Sequence, residues 1–464
     1  MDPILNRFGY DEFREGQQEV ITALEEGHDA IAILPTGNGK SFIYQYIGIK
    51  DKCRVIIVSP LIALMVDQVA SLKQLGIHRA VAITSLMSES EKNYILSTLK
   101  EYQFIFVSPE MLQAPRFFKQ LSKLEIGLLV VDEAHCISQW GYDFRSDYLF
   151  IGKMRKSLGN PRTLALTATA TTQVIHDIYT FLELNKEDTT YFQGHAFLKN
   201  REIDVISVEG LRSKMLSELL KRVEYPCIVY ASTIKEIEGL KESLQEEGFT
   251  KIDTFHSKRH SSDRQTIQQK FFRGELNILL ATSAFGMGIN QSNIRTIIHY
   301  QLPQTLEDYV QQIGRAGRDL QFSRCIAFVH PDDFSEMGRK IERSYEAGDE
   351  EETELHQNIK EIANAFRWNN EQKNEFIKLQ RTRKLKQVGQ IEEFATTNQC
   401  KEQYLAQFFG ENRKEPCGKC SSCRHLDLFL LDVTENWNEE ENGKNTFEES
   451  FKKLFNLWLN RVIF

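Results

Sequence analysis

From about residue 18 to 200, short apolar runs alternate with stretches of helical periodicity. The runs are "AIAIL" (30 to 34), "VIIVSP" (55 to 60), "FIFVSP" (104 to 109), "GLLVVDE" (127 to 133) and "TLALTAT" (163 to 169). Segments that are apolar at nearly every position predict strands buried on both faces of a parallel sheet. A second series, "EIDVISV" (202 to 208), "CIVYAS" (227 to 232), "IDTFHS" (252 to 257), "NILLATS" (277 to 283), "TIIHYQ" (296 to 301) and "CIAFVH" (325 to 330), predicts another α/β domain of the same type. Beyond residue 331 charged helical sequence takes over and ends in a cysteine cluster and an acidic tail. The expected fold is α/β, with parallel-sheet domains over 1–203 and 204–337, a helical module over 338–428 and a tail over 429–464.

At 464 residues the chain exceeds the size at which one core stops growing, so several domains are expected. The composition is 41% hydrophobic and 26% charged, near soluble averages, and no apolar run reaches the length of a membrane span. The opening "MDPILNRFGYDEF" has no basic segment followed by a long apolar one, so a cytoplasmic setting is expected. A net charge of −8 argues against binding nucleic acid by overall basicity but leaves room for a local basic groove. Cys53, Cys136, Cys227 and Cys325 stand among apolar residues and are expected to pack as small buried hydrophobes.

"PTGNGKS" (35 to 41) lies between the run "AIAIL" and the apolar "FIYQYIGI". Strand, glycine-bearing loop and helix together make an anion site, because backbone N–H groups and a helix N-terminus converge there. Thr36, Gly37 and Gly39 would shape the loop, Lys40 would reach terminal phosphates, and Ser41 would ligate Mg²⁺. Leu34 replaces the first glycine of the full pattern, so a glycine-rich turn at a strand end is the plainer alternative. "LLVVDE" sets Asp132 and Glu133 where a strand leaves the sheet; Asp132 suits Mg²⁺ and Glu133 suits orienting an attacking water. His135 follows two residues later, in reach of a role linking this site to the next segment.

"LPTGNGKS", "VSPLIALMVDQV", "VVDEAHCISQWGYDFRSDY", "LALTATAT", "ATSAFGMGIN" and "YVQQIGRAGRD" stand in the order and spacing of the RecQ family of superfamily 2 DNA helicases, which the chain resembles from about residue 8 to 425. The resemblance implies two tandem RecA-like motor domains and, after them, a helical zinc-binding domain. It also implies that the opening "FGYDEFREGQQ" puts Tyr10 against adenine, Gln17 on its edge and Arg14 nearby. In "QQIGRAGRD", Arg318 would be the arginine finger and Arg315 a phosphate or lobe-coupling contact, both on a helix, with Gln311 in a coupling role.

Trp140, Phe144 and Arg145, just past the two acids, resemble the family's aromatic-rich loop, which senses single-stranded DNA. Bases stack on such rings whatever their sequence. The family's usual His between Gly and Asp is Tyr142 here, and a buried aromatic cluster is the alternative. "SPL" (59 to 61), "SPE" (108 to 110), "AST" (231 to 233) and "ATS" (281 to 283) offer Ser59, Ser232, Thr282 and neighbouring groups to strand phosphates, and His256 matches another family position near the strand path.

Cys400, Cys417, Cys420 and Cys423 form C-x16-C-x2-C-x2-C, a spacing that favours a closed tetrahedral Zn²⁺ site, with an iron–sulfur cluster as the rival. The spacing is that of the RecQ zinc-binding domain. Too little chain follows Cys423 for the winged-helix or small helical domains that family members commonly carry, and this short form resembles the RecS branch. Phe447, Phe451, Leu454, Phe455 and Trp458 could form one helical face that docks on the body or recruits a partner.

The expected function is an ATP-dependent DNA helicase using ATP, Mg²⁺ and Zn²⁺, moving 3′ to 5′ on single-stranded or forked DNA in recombination and repair. Single-stranded-DNA-binding protein is a candidate partner, and the bacterial nucleoid the expected setting. The alternatives are an RNA-directed ATPase of the same superfamily, an adaptor with an inactive motor, or a translocase that needs a partner to unwind.

Overall fold

Nearly every apolar run becomes a strand, and the strands divide into two sheets. The computed structural model describes residues 2–35, 37–85, 87–138, 146–194, 200–208, 212–283, 285, 291–346 and 354–424. The first sheet contains β1 (Asp29–Ile33), β2 (Val55–Val58), β3 (Ala80–Ile83), β4 (Phe104–Val107), β5 (Leu128–Val131), β6 (Arg162–Thr167) and β7 (Thr189–Gln193). Its seven strands run in the order β3-β4-β2-β5-β6-β1-β7, and every pair is parallel. The second sheet contains β8 (Arg201–Ser207), β9 (Cys227–Tyr230), β10 (Ile252–Phe255), β11 (Ile278–Ala281), β12 (Thr296–His299) and β13 (Ser323–Val329). It is also all parallel, in the order β10-β11-β9-β12-β13-β8.

Strands β3 and β7 had no counterpart among the predicted runs. The second sheet also takes in Arg201 to Ile203, which lie on the first-lobe side of the boundary expected after residue 203, because β8 pairs with β13 from Arg201 onward. Both faces of each sheet are covered, as the unbroken apolar runs require. Ile31, Ile56, Leu129 and Ala165 bury one face of the first sheet, and Ala30, Val55, Leu128 and Leu164 the other. Cys136, Cys227 and Cys325 are buried as expected, whereas Cys53 is only half-buried.

The helical module is joined to the second lobe by a shared core. Val388, Ile391 and Phe394 of the long helix Asn370–Thr396 pack in the same cluster as Ile297 and Tyr309. Lys401, 1% exposed, donates to the carbonyls of Phe394, Ala395 and Thr397 and so caps that helix with a buried cation. Among the described residues no helix is long and apolar enough to cross a membrane.

At the end of β12, His299 is fully buried against the rings of Tyr230 and Tyr309, and its Nε2 lies 2.7 Å from Gln312 Oε1. Burial pulls its pKa down to about 4, although the Gln312 hydrogen bond opposes this. The fold therefore holds the neutral ring. Between pH 6.5 and 4 the unfolded chain takes up a proton that the folded chain refuses, so stability is lost as pH falls through that window and is fully present above it. The loss amounts to about 3 kcal/mol at most, since each tenfold change in proton affinity is worth roughly 1.4 kcal/mol. His299→Gln should flatten this acid sensitivity in urea titrations at pH 7 and pH 4.5, and an unchanged difference between the two would contradict the assignment.

Candidate nucleotide site and zinc centre

After β1 the chain passes through a loop into the helix Lys40–Lys50. Gly39 caps that helix at φ +72°, and a Cβ there would stand 2.6 Å from Gln17 Nε2, so only glycine fits. Lys40 and Ser41 begin the first turn, where unpaired backbone N–H groups and the helix dipole favour an anion. Gly37, Gly39, Lys40 and Ser41 line a cavity of about 470 Å³. Thr36 lies outside the described residues.

Asp132 and Glu133 reach the same cavity from the end of β5. Glu133 is left-handed (φ +49°, ψ 48°), a conformation that costs a non-glycine residue on the order of 1–3 kcal/mol and turns the chain sharply off the strand. Burial and the adjacent Glu133 charge lift the Asp132 carboxyl to about 6, against the pull of Lys40. Burial also raises Glu133, but Lys40, His135, Arg315 and Arg318 together outweigh it and hold this carboxyl below its usual range. Lys40 Nζ is 4.0 Å from Glu133 Oε1. Two crowded carboxylates beside a hydroxyl are oxygen donors suited to a divalent cation, and the Mg²⁺ of a nucleotide fits here.

Tyr10 and Arg14 line the far end of the cavity, with the Arg14 guanidinium 5.5 Å from the Tyr10 ring centroid. Phe8, which the sequence did not single out, lines it as well. Gln17 is placed differently from the expectation. It is 1% exposed, accepts from Arg14 N–H, and donates to the carbonyls of Asn38 and Gly39, so its amide braces the loop.

The second lobe completes the cavity with Gln311, Arg315 and Arg318. The helix that carries Gln311 ends at Ile313, so Arg315 and Arg318 lie in the turn beyond it and not on a helix as expected. Gly317 sits in that turn at φ +57°, where a Cβ would meet Asn200 Nδ2 at 2.4 Å. Arg318 carbons lie about 3.5 Å from where a Gly37 Cβ would stand, which puts this side chain over the loop. Burial, with Arg315 and Arg201 nearby, pulls its pKa down to about 9. Crowded buried cations of this kind are relieved by an incoming anion.

His135 links the lobes. The Thr167 hydroxyl donates to Thr169 O, so it accepts from His135 Nδ1 at 2.9 Å, and this fixes the proton on Nδ1. Nε2 then accepts from Gln311 Nε2 at 3.4 Å. Burial holds the ring's pKa below the ordinary histidine value. Thr167 was not assigned from the sequence; its signal was a hydroxyl at the end of the strand beside β5. Tyr148, the last residue of "VVDEAHCISQWGYDFRSDY", is fully buried and donates to Asp132 O at 2.9 Å. Trp140, Tyr142, Phe144 and Arg145 lie outside the described residues, as does the tail with Phe447 and Trp458.

Of the expected strand contacts, Ser232 is exposed beside Ser283 on a cavity of about 390 Å³ in the second lobe. Thr282, next to it, is half-buried. Ser59 is buried, and its hydroxyl donates to Asp132 Oδ2 at 3.4 Å. His256 is 7% exposed, with Nε2 3.0 Å from Glu238 Oε1 in a polar network that includes Arg259 and Thr254. These two face inward.

The Sγ atoms of Cys400, Cys417, Cys420 and Cys423 lie within 4.8 Å of one another. Cys400 and Cys420 are 3.9 Å apart, as are Cys417 and Cys423. A tetrahedron with Zn–S bonds of about 2.3 Å has edges of about 3.8 Å, so the set fits Zn²⁺. Backbone N–H groups of Cys417, Lys401 and Cys420 point at the sulfurs and orient them. The same turn grips the second sheet. Arg424 Nη2 binds both Asp204 oxygens at 2.7 and 2.8 Å, its Nη1 reaches Glu202 at 2.7 Å, Ser421 Oγ accepts from Val205 N–H, and Lys419 donates to Arg201 O.

Three family models match the chain: the DEAD/DEAH box helicase domain over 14–178, the helicase conserved C-terminal domain over 211–319 and the RecQ zinc-binding domain over 331–424. A Bacillus subtilis chain named "Probable ATP-dependent DNA helicase RecS" is 41% identical over 70% of this chain and 66% of its own length. The B. subtilis ATP-dependent DNA helicase RecQ is 35% identical over 90% of this chain and 65% of its own. The chain thus spans less than two thirds of either relative. The Synechocystis ATP-dependent DNA helicase RecQ is 34% identical over 73% of this chain and 72% of its own length.

Among solved structures, Mycobacterium smegmatis helicase Lhr bound to ssDNA and AMP-PNP has a TM-score of 0.59 at 19% identity, covering 74% of this chain and 49% of that one. S. cerevisiae Dbp5 bound to RNA and ADP BeF3 has 0.57 at 16%, covering 83% and 98%. At these identities the likeness concerns the fold alone, two RecA-like lobes. With the sequence relatives and the zinc module, it establishes that this chain belongs to the RecQ family of helicases.

Proposed function

We propose that the chain is an ATP-dependent DNA helicase that moves 3′ to 5′ on single strands. One observation carries this reading: the loop and acid pair of the first lobe and the arginines of the second line a single cavity. Nucleotide bound there bridges the lobes, and its hydrolysis changes their closure, a motion able to shift a bound strand.

In this reading Tyr10 and Arg14 flank the base while Gln17 holds the loop in shape. Lys40 and the loop N–H groups hold the terminal phosphates. Ser41 and Asp132 would hold Mg²⁺, which supplies charge neutralisation on the phosphates. Glu133, kept ionised by its cationic neighbours, orients and deprotonates the attacking water. Arg318 stabilises the charge that develops on the transferring group, with Arg315 beside it. The His135–Gln311 contact tells the second lobe about the acid pair.

Trp140, Phe144 and Arg145 stack on and hold the strand, whose phosphates meet Ser232 and Thr282; Ser59 and His256 support the path from within. Forked DNA in recombination and repair is the expected substrate, single-stranded-DNA-binding protein a partner, and the bacterial nucleoid the setting.

The test is steady-state ATP hydrolysis with no polynucleotide, with single-stranded DNA and with single-stranded RNA, followed by forked-duplex unwinding. Strong stimulation by DNA with strand separation is expected. Stimulation by RNA alone would move the chain to an RNA-directed class, and turnover that ignores both would overturn the motor assignment.

A further inference from the structure

Arg201 opens β8 and is 4% exposed, a cation buried with no acidic partner among the described residues. Glu202 and Asp204 of the same strand are engaged by Arg324 and Arg424 instead. Burial pulls the Arg201 pKa down to about 10, so the fold bears a cost to keep this guanidinium inside. What the cation meets is backbone. Its Nε donates to Ala316 O at 2.7 Å and its Nη2 to Gly314 O at 3.0 Å, 115 and 113 residues away in the chain.

These two carbonyls flank Arg315, in the turn that follows the helix Leu306–Ile313. Carbonyls at the end of a helix lack intrahelical donors, and a planar guanidinium can span two of them at once. The Gly314 carbonyl has a second donor, Arg318 Nε at 3.3 Å. Arg201 and Arg318 therefore converge on one oxygen, and the place of that oxygen decides from where the Arg318 guanidinium reaches over the phosphate loop.

The neighbouring residue extends the grip. Asn200 Nδ2 donates to Gly317 O at 2.8 Å, and Gly317 N–H donates to Ile294 O at 2.9 Å. On its other side the Arg201 carbonyl accepts from Lys419 of the cysteine-bearing turn. A buried charge without an opposite charge is a weak way to stabilise a fold. What the fork supplies here is geometry.

We propose that Arg201 is a positioning residue for ATP hydrolysis: by gripping the carbonyls on either side of Arg315 it sets where the Arg318 guanidinium stands over the phosphate loop. The assignment rests on the reading of Arg318 as the arginine finger. Because Lys419 holds the same residue's carbonyl, the cysteine-bearing turn and the finger turn are braced against each other through Arg201.

The test is a double-mutant cycle on the full chain, read by ATP hydrolysis with saturating oligothymidylate. Arg201→Met keeps the bulk of the side chain and removes both donors. It should lower kcat by about tenfold to a hundredfold, the loss that a displacement of about 1 Å brings, with KM within about threefold. In an Arg318→Ala background the same replacement should change kcat by less than about twofold, since the group it serves is gone. Arg201→Lys keeps the buried charge but has a single donor group; its kcat should lie between the two, with the same silence once Arg318 is removed. It carries the cycle if the methionine variant does not fold, and one zinc per chain with a cooperative melt identifies a folded variant. Full kcat in the folded Arg201 variants, or an equal loss in both backgrounds, would overturn the positioning role and leave Arg318 as the finger. Near-normal turnover in Arg318→Ala alone would overturn both.

Discussion

Replacing Arg318 by Ala is expected to lower the rate of ATP hydrolysis by about a thousandfold, at the low end of what an arginine finger supplies. The side chain lies over the phosphate loop from the opposite lobe. Ground-state binding should change far less, because Lys40 and the helix N-terminus still hold the phosphates. The loss should fall on kcat with KM within tenfold, the mark of an interaction made mainly in the transition state. Arg318→Lys should recover only part of the rate, since an ammonium lacks the planar fork that spans two oxygens. Near-normal turnover in the Ala variant would remove Arg318 from the mechanism.

Replacing Cys420 by Ser should release the zinc and loosen the second lobe as well. Cys420 and Arg424 share one turn, and Arg424 neutralises Asp204, a fully buried carboxylate that burial lifts to about 6 despite the guanidinium beside it. Without the metal the turn loses its anchor and Asp204 is left buried without its cation, a defect that costs about 3–5 kcal/mol. At roughly 2–4 °C per kcal/mol this lowers the melting temperature by about 10 °C. Arg424→Ala separates the two effects: it should keep one zinc per chain by metal analysis and still lose much of the stability. Full zinc and unchanged melting in the Cys420 variant would contradict both steps.

The fold was legible where burial is two-sided, because strands such as β2 and β5 are apolar throughout and stand out at once. β7 was not, since its residues are half-buried or exposed at the sheet edge and "TTYFQ" carries no apolar run. The loop, the acid pair and the arginine turn were legible as local patterns with fixed spacing. What a side chain does with its polar atoms was not. Gln17 turns under the loop and Ser59 turns toward Asp132 because of partners far along the chain. The same holds for His135, whose tautomer depends on a threonine 32 residues away and whose inter-lobe contact is with a glutamine 176 residues away. The arginine turn was taken for helix because Arg315 and Arg318 stand three apart, a spacing that neighbours on a helix also have, whereas the helix ends at Ile313 and the left-handed Gly317 lies in the turn beyond it.

β8 is the outermost strand of the second sheet, and the cysteine-bearing turn lies along its free side, with Ser421 taking the Val205 N–H and Lys419 the Arg201 carbonyl. Bare strand edges pair readily with other chains and seed aggregation. A version of this protein cut short before the cysteines would expose that edge and should self-associate as its concentration rises, so its poor solubility would be no sign that either motor lobe had failed to fold.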